Sequence, residues 1–145
     1  MMPFVGEYRH NIDTKGRLII PAKFRNNFSE RVYLSKGFET CLLILTPEEI
    51  EKIEKRITES SLTNKAVRKF SRAFFSGMTE AAFDGQGRIL IPSNLREYGG
   101  IQGETVVVGT GFYVEIWDKD AWEQGTSQLD EERFNIADFL EGLDG

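Results

Sequence analysis

Thiol and imidazole side chains are nearly missing from this chain. Its 145 residues hold one cysteine, Cys41, and one histidine, His10. A lone cysteine excludes an intramolecular disulfide, which fits a reducing compartment. One histidine and one cysteine fall short of the soft ligands of a usual zinc site. Cys41 opens the apolar run Cys41-Leu42-Leu43-Ile44-Leu45, where a thiol stays protonated and packs as a small hydrophobe. Neither a cysteine nucleophile nor a histidine base is expected. Long apolar runs are missing too: Leu42 to Leu45 is the longest aliphatic stretch, far below the about 20 residues of a membrane span. The opening Met1 to Glu7 has no basic and no apolar leader region, so no secretory signal is expected. The glycine-rich loops lack the Gly-Lys-Ser/Thr ending of a phosphate-binding P-loop. These absences predict no enzymatic chemistry, no cofactor, no metal and no membrane partner. With 40% hydrophobic and 12% aromatic residues, the chain can still bury a full core.

What is present is a pattern that occurs twice. His10 to Arg25 and Ala81 to Arg96 align at a shift of 71 positions. Asp13/Asp84, Gly16/Gly87, Arg17/Arg88, Ile20/Ile91, Pro21/Pro92 and Arg25/Arg96 are identical in register. Apolar character also matches at Ile12/Phe83, Leu18/Ile89, Ile19/Leu90 and Phe24/Leu95. In a chain of single-domain length, this duplication predicts two half-domains sharing one core.

Charge is unevenly spread. The net charge is −5, which by itself argues against a nucleic-acid partner. Yet residues 1–37 carry +4, residues 38–80 balance, and residues 81–145 carry −9. Such a chain can present a basic face while its total stays acidic.

Taken in order, Glu7 to Ile12 reads as a strand. Asp13-Thr14-Lys15-Gly16 reads as a type I turn with a left-handed glycine bulge, and Arg17 to Ile20 as the return strand of a hairpin ended by Pro21. A short helix with Phe24 and Phe28 on one face follows Pro21. Val32 to Ser35 and Cys41 to Leu45 are strands about a turn at Gly37. Thr46-Pro47-Glu48-Glu49 is a helix start with a capping box, continued by Ile50, Ile53 and Ile57. After a break at Ser60-Ser61-Leu62-Thr63, a second helix runs from about Asn64 to a stop at Gly77, with Val67, Phe70 and Phe74 on its stripe. Its cations Lys65, Arg68, Lys69 and Arg72 read as a solvated face, with a subunit interface or a secondary nucleic-acid contact as the rival role. The repeat then returns: Thr79 to Phe83, the turn Asp84-Gly85-Gln86-Gly87, Arg88 to Ile91, and a helix ending at Gly99-Gly100. Thr105 to Val108 and Tyr113 to Trp117 are strands about a Gly109-Thr110-Gly111 turn. Asp118 caps a final helix, and Ile136, Phe139, Leu140 and Leu143 repeat at the spacing of a small docking helix.

The turns carry the strongest functional signal. Asp and Gly at those offsets are turn chemistry, and each arginine could merely pair with its own aspartate. That reading leaves unexplained why arginine recurs at a position the turn leaves free. A guanidinium projecting from a β-tip can instead bind a phosphate or a base edge bidentately. Lys15 adds charge to the first tip, whereas its counterpart Gln86 does not, so DNA contact is placed on Arg17 and Lys15 ahead of Arg88. Arg88 is expected to pair structurally, in the extreme across a subunit boundary. Arg9, His10, Lys23 and Arg25 flank the first turn and join the candidate DNA-binding set. Asp13, Gly16, Asp84 and Gly87 form the structural turn motif.

A doubled Asp-x-x-x-Arg turn, each followed by an apolar strand ending in proline and a short helix, resembles the MraZ family of bacterial transcription regulators. Gly6 to Arg17 and Val114-Glu115-Ile116-Trp117 mark the ends of the match. The resemblance implies an α+β fold of tandem AbrB-like (double-split β-α-β) half-barrels sharing one core, with a helical hairpin between them. The corresponding divisions are 6–49 for the first SpoVT/AbrB-like repeat, 50–77 for the helical segment, 78–121 for the second repeat and 122–145 for an acidic helical tail. It further implies a cytoplasmic, nucleoid-associated protein assembling as a ring-shaped homo-oligomer, often an octamer. Such rings bind short direct repeats in double-stranded promoter DNA upstream of the division and cell-wall gene cluster. The basic first part and acidic last part suit a head-to-tail ring contact. The rivals are an AbrB-type antitoxin, disfavoured by the amphipathic tail, a non-catalytic assembly protein whose turns are only structural, and last a small nucleotide-dependent enzyme.

Overall fold

Side chains alternate between the two faces of a strand, so a strand that is apolar at every position needs cover on both sides. Leu42–Leu45 is such a strand, buried at all four residues. The computed structural model of the chain describes residues 3–61, 63–132 and 136–144. Met1, Met2, Leu62 of the expected break, residues 133–135 of the expected tail and Gly145 lie outside the described residues.

The first repeat gives β1 (Phe4–Asn11), β2 (Arg17–Ile19), α1 (Ala22–Arg25), β3 (Arg31–Lys36) and β4 (Leu42–Leu45). Helices α2 (Pro47–Glu59) and α3 (Lys65–Ser76) follow. The second repeat gives β5 (Thr79–Ala82), β6 (Arg88–Leu90), α4 (Ser93–Gly99), β7 (Glu104–Gly111) and β8 (Val114–Asp118), before α5 (Lys119–Glu132) and α6 (Ile136–Asp144). The result is a mixed α+β fold with antiparallel sheets.

The strand order of the main sheet is β1-β7-β8-β4-β3-β5, and β2 pairs with β6 in a separate two-stranded ribbon. With β1 matched to β5, β3 to β7 and β4 to β8, that order reads the same from either end. An internal twofold therefore passes between β4 and β8 and through the Leu18↔Ile89 pair of the ribbon. Each repeat lends its first strand to the other: β1 pairs with β7, and β5 pairs with β3.

This corrects the expected hairpin. The turn closes, with Asp13 N donating to Arg17 O at 2.9 Å, but β2 then leaves β1 and pairs with β6. The physical reason is burial. Leu18 and Ile20 are fully buried, as are Ile89 and Ile91 in the second copy. Laying the ribbon across the sheet's face points all four into one core with Phe4, Phe24, Val107 and Ile116.

The opposite face of the main sheet is covered by helices. Leu43, Leu45, Val106 and Trp117 pack there with Ile50 of α2, Phe74 of α3 and Trp122 of α5. Thr46 caps α2 by accepting from Glu49 N at 3.1 Å. Only that half of the capping box forms, because the Glu49 carboxylate takes Lys52 Nζ at 3.1 Å instead. Asn64 caps α3, accepting from Ala66 N and Val67 N. The turn expected at Gly109 to Gly111 is displaced: those residues belong to β7 and pair with Phe4, Val5 and Gly6. A side chain at Gly109 would meet the Phe4 backbone carbonyl carbon at 2.5 Å, so glycine there permits the close approach of β1. The expected docking helix exists as α6, but Ile136, Phe139, Leu140 and Leu143 are exposed in the single chain.

Candidate nucleic-acid interface

Each turn is built by its aspartate. Asp13 Oδ1 accepts from Lys15 N at 2.9 Å and Arg17 N at 2.8 Å, while Oδ2 accepts from Arg17 Nε at 2.7 Å. Asp84 repeats the pattern with Gln86 N at 2.9 Å, Arg88 N at 2.9 Å and Arg88 Nε at 2.8 Å. The backbone N–H of the arginine, ahead of its side chain, holds both carboxyls below the usual carboxylate range. Gly16 and Gly87 close the turns at φ +86° and +78°, a region L side chains avoid.

The arginine-to-aspartate pairing is thus real, and in both copies it is internal. Arg88 pairs with Asp84 of its own turn at 2.8 Å. Pairing does not use up the guanidinium. It engages Nε, and among the described residues the Nη groups of Arg17 and Arg88 take no further hydrogen bond. A guanidinium anchored this way keeps its end-on pair of donors in a fixed direction.

The ribbon decides where those donors sit. Its register is Arg17↔Leu90, Leu18↔Ile89 and Ile19↔Arg88. Leu18 and Ile89 point into the core, so Arg17, Ile19, Arg88 and Leu90 share the outer face, where Ile19 is 43% and Leu90 57% exposed. The two arginines lie on a diagonal of that face, about 7–8 Å apart at this strand spacing. Lys15 is exposed at the first tip and Gln86 at the second.

Arg25 and Arg96 complete the site, and Arg96 carries no role in the sequence reading. Arg25 Nε donates to Ile20 O at 2.8 Å, and its guanidinium lies against Gly87 of the other repeat, where an added Cβ would be 2.6 Å from Cζ. Arg96 mirrors it, donating to Ile91 O at 3.0 Å and lying 3.0 Å from a Cβ built on Gly16. Each arginine therefore braces the turn of the opposite copy. The in-register recurrence of Arg25 and Arg96 is the signal that could reveal the pair. Together the two segments 13–25 and 84–96 bring six cations, Lys15, Arg17, Lys23, Arg25, Arg88 and Arg96, against Asp13 and Asp84. A chain of net charge −5 thus has a basic surface here.

Not every candidate joins it. Lys23 is exposed on α1, beside the ribbon. His10 is half-buried near the end of β1 that leads into the first turn, opposite Thr105. Arg9 points the other way: Arg9 Nη1 donates to Glu123 Oε1 of α5 at 3.0 Å, which raises the guanidinium's pKa. Its neighbour on that face, Glu7, accepts from Trp122 Nε1 at 2.7 Å. Cys41 is fully buried, and burial, helped by Glu115, pushes its thiol up to about 12. It is no nucleophile at neutral pH.

A family model of MraZ proteins, described as antitoxin-like, matches the chain twice, over residues 3–73 and 74–139. Curated relatives carry the name Transcriptional regulator MraZ. One from Halothermothrix orenii is 44% identical over 140 residues, covering 97% of this chain and 98% of the relative. One from Finegoldia magna is 41% identical over 141 residues, covering 97% and 99%. One from Acetivibrio thermocellus is 47% identical over 120 residues, covering 83% and 84%.

Proposed function

The chain belongs to the MraZ family, and from that premise and the ribbon geometry we propose a non-enzymatic transcriptional regulator that holds double-stranded DNA on the outer face of β2 and β6. One observation carries this reading: Arg17 and Arg88, related by the internal twofold, are each anchored through Nε and open at Nη. The major groove admits a two-stranded ribbon, and arginine read end-on suits guanine O6 and N7 or a phosphate. Ile19 and Leu90 on the same face offer apolar contact to thymine methyls. Lys15, Lys23 and Arg25, with His10 at the margin, supply phosphate contacts that set register.

A single ribbon with a few cations binds weakly and mostly through phosphate. Several ribbons on a ring-shaped homo-oligomer, with eight copies as the expected number, would engage successive direct repeats together, raising effective concentration without any new contact. The interlocked repeats are read as AbrB-like half-barrels, 6–49 and 78–121, joined by the helical segment 50–77 and followed by the tail 122–145. The targets are short direct repeats upstream of the division and cell-wall genes, which places the protein in the cytoplasm on the nucleoid. The relatives' name supports the regulatory role. Among the described residues no helix is long and apolar enough to cross a membrane.

The test is a gel shift with Arg17→Ala and Arg88→Ala on promoter DNA, with native mass measured in parallel. Loss of one base-reading arginine weakens binding by about tenfold or more, and Arg17→Ala is expected to cost more than Arg88→Ala because Lys15 strengthens its tip. Unchanged binding by both variants overturns the site. Lost binding together with a collapsed assembly would make the arginines structural.

A further inference from the structure

Two helices that pack on the same face of the main sheet, α2 through Ile50 and α3 through Phe74, treat charge in opposite ways. Helix α2 follows the rules of helix stability. Glu48 and Glu49 stand in its first turn and Arg56 in its last, each at the end of the dipole that favours it. Acids and cations alternate between them. Helix α3 breaks the same rules. It holds Lys65, Arg68, Lys69 and Arg72 and no acid, and its last turn has no cation. Lys65 therefore opens the helix at the positive end of the dipole. Lys65/Lys69 and Arg68/Arg72 are like-charge pairs at i, i+4, which repel. A face kept only for hydration does not require this, because the mixed charges of α2 hydrate as well.

At 3.6 residues per turn the four cations of α3 fall within an arc of about 100°, and all four are exposed. Lys65, Lys69 and Arg72 make no ion pair among the described residues. The other side of the helix carries Val67, Phe70 and Phe74, and Phe74 packs with Leu43, Leu45 and Trp117. The cationic stripe therefore faces away from the sheet. Arg17 and Arg88 sit on the ribbon that covers the sheet's other face, so a straight duplex on the ribbon lies on the far side of the molecule from α3. Along the helix axis Lys65 and Arg72 are about 10 Å apart. Phosphates recur about every 3.4 Å of axis on each DNA strand, so several of these cations can meet one strand's backbone together.

We propose that the outward face of α3 is a second DNA-binding surface, which grips the phosphates of a duplex segment other than the one on the ribbon. Its two guanidinium groups take phosphate oxygens in pairs, and its two ammonium groups act as point charges. Contacts of this kind carry no sequence information, so the second segment is held whatever its bases. A membrane surface suits the stripe less. An interfacial helix buries its apolar side in lipid, and here Phe74 on that side is packed inside the protein. Joined to the ribbon reading, on which this role as a bridge rests, α3 lets one molecule hold two DNA segments on opposite sides.

The full chain tests it by capture: protein saturated with promoter duplex is titrated with a labelled duplex of unrelated sequence. A triple variant, Lys65→Gln, Lys69→Gln and Arg72→Gln, removes three charges at exposed positions with a residue of similar helix propensity. Thermal melts check its folding and native mass its assembly. It is expected to bind promoter DNA as the wild type does and to capture the second duplex about tenfold or more weakly. Its salt slope for capture is expected to be shallower by about two to three, at roughly 0.9 per lost phosphate contact. Lys65→Arg with Lys69→Arg is expected to keep full capture. Unchanged capture by the triple variant overturns the proposal. So does a triple variant whose assembly falls apart, which makes the stripe a contact between copies. Lost binding to phosphatidylglycerol vesicles with DNA capture intact overturns it in favour of a membrane. Promoter binding untouched by Arg17→Ala and Arg88→Ala, with capture lost in the triple variant, overturns the ribbon reading and leaves the α3 surface standing.

Discussion

Asp13 and Asp84 do more at the residue scale than either arginine. Each carboxylate binds two backbone N–H groups and one guanidinium, so it shapes the turn and aims the side chain in one act. Both carboxyls titrate lower in the folded chain than in the unfolded one. Their contribution to stability is therefore complete above about pH 4, the unfolded value, and is lost as the pH falls through the folded values. Thermal melts from pH 7 to pH 2 should show an acid limb that becomes shallower in an Asp13→Asn, Asp84→Asn variant. An acid limb of the same steepness in that variant would place the acid sensitivity elsewhere. This level of the site was legible in the sequence, because an Asp-x-x-Gly turn is set by neighbours within four residues. The bracing of Gly87 by Arg25 and of Gly16 by Arg96 was not legible, since each contact crosses the twofold.

At the scale of elements, β2 and β6 are only three residues long. A ribbon so short has little stability of its own. It is held by the burial of Leu18, Ile20, Ile89 and Ile91 and by two rungs that extend the ladder, Ile20 N to Gly87 O at 3.0 Å and Ile91 N to Gly16 O at 2.8 Å. Leu18→Ala empties the centre of the ribbon and should destabilise the fold by about 2–5 kcal/mol, read as a lowered denaturant midpoint with an unchanged slope. A change below about 0.5 kcal/mol, the scale of an ordinary surface substitution, would mean that the ribbon is not part of the cooperative core. The helix starts at Thr46 and Asn64 and the stripe of α2 were readable from local pattern. The exchange of β1 and β5 between repeats was not. Local turn chemistry favours pairing β1 with β2, and only the non-local match to the valines of β7 overrides it.

For the whole molecule, duplication supplies two properties at once. The internal twofold sets two anchored arginines side by side on one face. The opposite face of the main sheet carries the helices, with Arg9 and Glu7 engaged by α5. The proposed DNA face and the helical face are thereby opposite sides of the molecule. The uneven charge of the chain follows the same division only in part. The acidic second half contributes Arg88 and Arg96 to the basic surface, while Lys119 is taken up by Glu104 at 2.9 Å. The amphipathic pattern of α6 was visible in the sequence, and its apolar stripe is at least half exposed.

The central claim is that DNA meets the ribbon side. A photoreactive side chain placed at Lys15 or Gln86, or at Glu123 on the α5 side as a control, tests it on the assembled protein with promoter DNA. Strong cross-links from position 15, weaker ones from position 86 and none from position 123 are predicted. Cross-links from position 123 with silence at both tips would contradict it.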